Sequence, residues 1–272
     1  MDNPYIFGNP DVDRQRLETQ THLIGERVKA NAHLFVGEHI TNILDLGCGD
    51  GQLGLLLHAI YPEARLMGID KDPKAVLKAR EHAQAQGFSQ ATYVVGDIEA
   101  ALPEGQYDLV FASLILLHTR QLPPVVARIA AATQPGGYLW ATELHPGFRT
   151  AIDHPAYQQL AAWFFATMAA IGVQPLIGQE LPILLRDAGF TDVHTKTEEF
   201  PLGGTSYEAQ ATLATLLGGF YNARLAMSKT QGVPESEIIQ LYTELANYAL
   251  RTRHSVGAIP SLHIVARREA AA

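Results

Sequence analysis

The chain's 272 residues, 47% hydrophobic and 18% charged, suffice for one large α/β domain with insertions or for a domain plus a cap. A net charge of −8 with scattered acids lacks the basic face that a nucleic-acid partner needs for counterion release, and the basic spots Arg251–Arg253 and Arg267–Arg268 read as solvated helix ends. The single cysteine, Cys48, excludes an internal disulfide and a cysteine-rich zinc site, and suits a reducing compartment.

From the start of the chain, Met1-Asp2-Asn3-Pro4 shows no basic segment leading into an apolar run, so no signal peptide is expected. Residues 11–36 place Leu17, Leu23, Ile24, Val28 and Leu34 at helical spacing. From Asn42 onward, short apolar runs at 43–46, 65–69, 92–95, 109–112 and 138–142 alternate with helical windows at 52–60, 73–86 and 122–133. That alternation predicts βαβ units around a parallel sheet, whose strands read as continuous apolar runs because both faces are covered. A polar linker is expected over 143–154, then an apolar helix at 157–171, a helix with a glycine stop at 179–189 and a strand at 193–200. One long helical stretch is expected from about 206 to 253, and a last strand at 261–267. The helical insertion before that strand is too long for a connection in a compact domain, and reads as a cap over an active site or as a dimerisation arm. The longest apolar stretches, near 109–117 and 160–171, fall short of a membrane span, so a cytoplasmic protein is expected.

The segment Ile43-Leu-Asp-Leu-Gly-Cys-Gly-Asp-Gly51 sets a glycine-rich loop directly after a strand and before a helix. Gly47, Gly49 and Gly51 permit a tight turn and close approach to a ligand, which the amides of the following helix would face. Gly49 to Gly54 also fits the dinucleotide pattern G-x-G-x-x-G, a weak signal by itself. Two acids sharpen it. Asp70 ends the second strand, where a carboxylate accepts both hydroxyls of a ribose, and Asp97 ends the third, where it accepts from an adenine amino group. Either acid alone would read as a turn or cap residue; both at successive strand ends point to a nucleoside site.

With those residues in place, the sequence resembles the class I S-adenosylmethionine (SAM)-dependent methyltransferases. Residues 43–51 resemble the family's first motif, Gly68-Ile69-Asp70 its second, and Val94-Val95-Gly96-Asp97 its adenine-binding motif. Tyr107 to Ser113 is similar to the fourth strand and Gln134-Pro135-Gly136-Gly137-Tyr138-Leu139 to the entry of the fifth. The likeness runs in order over roughly residues 40–143. The segment from Asn9-Pro10-Asp11 is similar to bacterial small-molecule methyltransferases with an N-terminal lid helix, here residues 1–40, ahead of a SAM-binding domain at 41–272 with cap insertions near 150–175 and 205–256. The resemblance implies a Rossmann-like, seven-stranded, mostly parallel sheet with an antiparallel last strand and helices on both faces. SAM, and its product S-adenosylhomocysteine (SAH), would lie across the carboxyl ends of the strands.

By the same resemblance, Gly47, Gly49 and Gly51, with Asp45 in the motif, would hold the methionine part. Asp70 and its neighbour Lys71 would bind the ribose, Asp97 and Ile98 the adenine, and the backbone of Ala112, Ser113 or Leu114 the methionine amine. Tyr5, Arg14, Arg16 and Gln20 of the lid would either close over the cofactor or serve helix packing. A catalytic base, where one is needed, would come from His118 or His145 at the ends of the fourth and fifth strands, with Glu143 orienting a substrate or pairing with the lid arginines. Each histidine also reads as a turn cap. His154, Trp163, Phe164, Phe165, Tyr207, Phe220, Tyr221 and Tyr242 would line a pocket or fill a core.

No Asn-Pro-Pro-Tyr or Asp-Pro-Pro-Tyr follows the fourth strand, which argues against adenine or glutamine amino methylation. Ser113 stands where metal-assisted catechol methylation needs a carboxylate, so no metal is expected. The acceptor is expected to be a small, largely apolar molecule of natural-product or lipid-like type, through oxygen, carbon or nitrogen. Competing readings are a SAM-binding protein that catalyses a cyclisation, a SAM sensor or scaffold, and a nicotinamide oxidoreductase; the last lacks the Tyr-x-x-x-Lys pair of short-chain dehydrogenases. The apolar N-terminal helix and the cap are consistent with a homodimer or larger homo-oligomer.

Overall fold

A computed structural model describes residues 10–37, 39–252 and 254–270. In chain order the elements are α1 (Pro10–Val36), β1 (Asn42–Leu46), α2 (Gln52–Ile60), β2 (Arg65–Asp70), α3 (Pro73–Ala85), β3 (Ala91–Val95) and β4 (Tyr107–Ser113). Then follow α4 (Leu122–Ala132), β5 (Thr133–Leu144), α5 (Pro155–Ala170), α6 (Leu181–Asp187), β6 (Phe190–Gly203), α7 (Tyr207–Gln231), α8 (Glu235–Arg251) and β7 (Ser255–Arg268). Short 3₁₀ turns occupy Leu116–His118, Pro146–Thr150 and Ile177–Gln179.

The seven strands form one sheet in the order β3-β2-β1-β4-β5-β7-β6. The pairs joining β1 to β5 are parallel, and the sheet's antiparallel pairing falls in its β5-β7-β6 part. This is the Rossmann-like arrangement that the sequence predicts. The strand order reverses beside β1, so the carboxyl ends of β1, β2 and β4 border a crevice, the usual place for a ligand in an open α/β sheet.

The described residues divide into two compact units, those within 25–143, 176–196 and 262–270 in one and those within 10–24, 144–175 and 197–261 in the other. In the first, the central strands are dry: Ile43, Leu44 and Leu46 of β1 and Leu109, Val110, Phe111 and Ala112 of β4 have no exposed surface. Each of these side chains except that of Ala112 contributes roughly 1.5–3 kcal/mol of burial. Trp140 packs edge-on against Phe111, with ring centroids 5.4 Å apart, and its indole N–H donates to His263 Nδ1 at 3.2 Å. Asp108 anchors the start of β1, accepting from the amides of Thr41 at 2.7 Å and Asn42 at 2.9 Å. α3 begins on Asp72, whose carboxylate accepts from the Lys74 amide at 2.9 Å, with Pro73 preset for the first turn.

In the second unit, α5, α7 and α8 bury one another's apolar faces. Phe164 and Phe220 meet edge-on at 5.7 Å and Tyr157 meets Phe220 at 5.9 Å, so these aromatics form core. Tyr207 and Tyr221 lie exposed. The single helical stretch expected over 206–253 is instead two helices. Gly232, at φ +68°, closes α7 with a bond from its amide to Ser228 O, and Pro234 prevents the helix from continuing. The expected polar linker is also shorter, because β5 runs on to Leu144 and 146–150 coil into a 3₁₀ turn.

Candidate functional site

The glycine loop leaves β1 after Leu46, and its three glycines differ in their surroundings. All are left-handed, Gly47 at φ +63°, Gly49 at +54° and Gly51 at +83°. A Cβ on Gly47 would stand 2.4 Å from Ile115 Cγ1, and one on Gly51 would stand 2.9 Å from the Tyr93 hydroxyl. Among the described residues, a Cβ on Gly49 would meet nothing within 4 Å. Gly47 and Gly51 are therefore fixed by the protein's own packing, and Gly49 is the one that opens onto free space.

Asp70 ties this opening together. Its Oδ2 accepts from the Gly49 amide at 2.9 Å and its Oδ1 from the Asp72 amide at 2.9 Å. Each carboxylate oxygen retains a second lone pair for a ligand hydroxyl. The loop is also stitched to β2 by Cys48 N–H to Ile69 O at 3.0 Å, and the end of β3 by Gly96 N–H to Asp70 O at 2.9 Å. Asp97, just beyond, is exposed and accepts from the Glu99 amide at 2.9 Å, whereas Ile98 is buried. The ends of β1, β2 and β3 thus bring Gly49, Asp70 and Asp97 into one continuous edge.

Asp45 lies behind the loop. Its carboxyl is buried against Gly54 of α2, where a Cβ would come within 2.6 Å of Oδ2. Burial, reinforced by the Asp70 carboxylate and opposed by the Gly54 amide, pushes it up to about 8, so it is a neutral acid at neutral pH. Burial likewise pushes the Cys48 thiol up, and it stays uncharged.

Across the crevice, the end of β4 carries Ser113, whose Oγ accepts from Thr142 Oγ1 at 2.8 Å, and Leu114, whose amide donates to Thr142 O at 2.8 Å. Leu114 holds φ +52°, a left-handed conformation that costs a non-glycine residue roughly 1–2 kcal/mol. The 3₁₀ turn after it ends in His118, half-buried. Burial, then the Lys71 ammonium, holds its imidazole down to about 4, so the ring is neutral across the neutral range. Lys71 itself is exposed. Glu143 is wholly buried at the end of β5, with Oε1 accepting from the Leu116 amide at 3.1 Å, and burial pushes it up to about 8.

The other expected site residues fall in the second unit. His145 Nδ1 accepts from the Gly147 amide at 3.0 Å, capping the 3₁₀ turn, and His154 Nδ1 caps α5 through the Ala156 amide at 3.2 Å. A neutral ring that accepts through Nδ1 carries its proton on Nε2, so His145 in this geometry presents a donor. Arg16 grips the buried Asp13 through Nε at 2.6 Å and donates from Nη1 to Gln20 Oε1 at 2.8 Å, while Asn222 of α7 donates to Asp13 at 2.6 Å. Arg14 pairs with Glu18 at 3.5 Å. Tyr5 lies outside the described residues. Sequence reasoning missed Ile115 and Tyr93, which shape the loop from distant elements, and His82, whose Nδ1 lies 2.9 Å from Asp50 O. No local pattern marks them.

Residues 38–189 match the family model described as a methyltransferase domain. Trans-aconitate 2-methyltransferase of Methylobacterium nodulans is 36% identical over 97 residues, 36% of this chain and 36% of that protein. The match thus spans about a third of that curated relative. Among solved structures, YcgJ of Bacillus subtilis superposes with a TM-score of 0.58 at 15% identity, covering 92% of this chain and 99% of that one. The [4+2]-cyclase SpnF superposes with a TM-score of 0.57 at 18% identity, covering 91% and 82%. Those two likenesses speak to fold, and the family model, which matches more than half of the chain, speaks to descent. This chain belongs to the methyltransferase-domain family.

Proposed function

We propose that the chain is a SAM-dependent methyltransferase acting on an oxygen, carbon or nitrogen of a small molecule. The observation that carries this reading is the bridge from the Gly49 amide to the Asp70 carboxylate beside the open face of Gly49. A nucleoside with free ribose hydroxyls and an extended amino-acid chain fits that pairing, the hydroxyls on Asp70 and the chain along the glycine loop. When bound, SAM supplies a methyl group already activated by its positive sulfur.

The protein's own tasks are then alignment and exclusion of water. Asp70 orients the ribose, and Asp97 with Ile98 brackets the adenine. The backbone at Ser113 and Leu114 is offered to the methionine amine. His118, neutral and half-buried, is the proton acceptor available on the turn after β4. A base held near 4 is weak, which suits an acceptor that loses its proton easily. The small-molecule class is supported by the acid balance of the chain and by the name of the trans-aconitate relative.

Isothermal titration with SAM, SAH and NAD, on wild type and Asp70→Ala, tests the reading. Micromolar binding of SAM or SAH that the variant loses supports it, and binding of NAD alone refutes it. A product that turns over without gaining a methyl would move the reaction to the cyclising class.

A further inference from the structure

We propose that Glu143 is a positioning residue for the cofactor loop, acting through the turn that follows β4. The proposal rests on the SAM reading for its ligand, but its structural half stands on the protein alone. Glu143 has no exposed surface, and Oε1 takes the Leu116 amide at 3.1 Å while the Leu117 amide also points at the carboxyl. Those two amides open the 3₁₀ turn Leu116–His118, and a turn that short cannot satisfy them internally. Immediately before it come Leu114, held left-handed, and Ile115, whose side chain fills the space a Cβ on Gly47 would need. The line of contact therefore runs from Glu143 at the end of β5, through the turn, to Gly47 at the end of β1. Without an acceptor in place of Glu143, two buried amides lose their partner, and the left-handed step at Leu114 is left with the bond from its amide to the Thr142 carbonyl.

The second carboxyl oxygen, Oε2, is buried and has no hydrogen-bond partner among the described residues. That arrangement suits a neutral acid, with its proton on Oε2 and both amides on Oε1. The same-turn titratable neighbour, His118, is neutral above about 4, and Glu180 beside the 3₁₀ turn that packs here is exposed. No charged side chain contributes to the Glu143 shift, which burial causes. Ionisation above about pH 8 would put an unpaired charge behind the turn. The ordered turn that shapes Gly47 is the form that favours the protonated acid, so a cofactor that binds the ordered loop favours it too, and by linkage cofactor affinity falls as pH rises through that value.

The test compares wild type, Glu143→Gln and Glu143→Ala by SAH titration from pH 6.5 to 9.5 (~0.5-unit steps) and by hydrogen exchange of the ligand-free proteins. Glutamine keeps the acceptor and cannot ionise. It is expected to bind SAH within about twofold of wild type at pH 7 and to lose the fall in affinity above about pH 8, whereas alanine binds about tenfold more weakly. Exchange in peptides covering 113–118 and 46–52 is expected to rise together in the alanine variant and to stay at wild-type level in the glutamine variant. Wild-type affinity and protection in the alanine variant overturn the proposal, as does a glutamine variant that keeps the wild-type pH dependence. Should alanine fail to fold, the glutamine comparison decides alone. Wild type that binds no SAH refutes the cofactor reading instead, and the exchange data still decide whether Glu143 fixes the turn.

Discussion

Replacing Gly47 by alanine perturbs the loop at a place where the structure gives both parts of the cost. The new Cβ would stand 2.4 Å from Ile115 Cγ1 and 2.6 Å from its Cδ1, closer than nonbonded carbons approach. Relieving that overlap costs roughly 1–3 kcal/mol of overpacking. Holding an L-residue at φ +63° adds roughly 1–2 kcal/mol. The sum, about 2–5 kcal/mol, is a large share of the ~5–15 kcal/mol that stabilises a domain. Trimming Ile115 to alanine removes the steric part and leaves the backbone part. Urea denaturation of Gly47→Ala, Ile115→Ala and the double variant should therefore show a favourable coupling of about 1–3 kcal/mol. Gly49→Ala is the contrast, because its Cβ would meet nothing within 4 Å among the described residues. It should lose only about 1–2 kcal/mol of stability from its φ, yet bind SAH far more weakly because the methyl intrudes on the ligand's side. Additivity of the Gly47 and Ile115 changes within about 0.5 kcal/mol would refute the contact, and undiminished SAH binding by Gly49→Ala would refute the assignment of the open face.

The remaining predictions concern buried charge. Asp45 keeps its proton in the folded state up to about 8 but releases it near 3.8 when unfolded, so the unfolded state is the stronger acid and stability drains as pH rises between those values. Asp45→Asn retains an acceptor for Gly54 and cannot ionise; its thermal stability should match wild type near pH 4 and exceed it by on the order of a few kcal/mol at pH 8, and an advantage that does not grow with pH would refute the assignment. Asp13 has no exposed surface and holds the largely buried Arg16, so Asp13→Ala removes a buried carboxylate that the Arg16 guanidinium and Asn222 bond. A loss of about 3–5 kcal/mol is expected in chemical denaturation, with part of it recovered when Arg16→Met is added, and no recovery in the double variant would show that the pair is not the cause.

What the sequence by itself determined is what short spans of chain encode. Strands covered on both faces are predominantly apolar, so β1 and β4 announce themselves as Ile43–Leu46, broken only by Asp45, and Leu109–Ala112. A loop with several left-handed residues in close succession favours glycine at each, so Gly47, Gly49 and Gly51 mark it, and Asp70 and Asp97 follow at the ends of the next two strands. The tertiary structure decided which of those groups face each other. Ile115 over Gly47, Tyr93 over Gly51 and Gly54 over Asp45 join residues that no local period relates, and they separate the glycine whose Cβ position is open among the described residues from the two that meet protein. The same holds for the charged and titratable side chains. Glu143, His145 and Arg16 look alike in sequence as polar residues near a strand end or on a helix, but one is buried on two amides, one caps a turn through Nδ1, and one grips Asp13. Their chemistry is set by desolvation and by hydrogen-bond partners brought in from elsewhere in the chain, and those quantities exist only once the chain has folded.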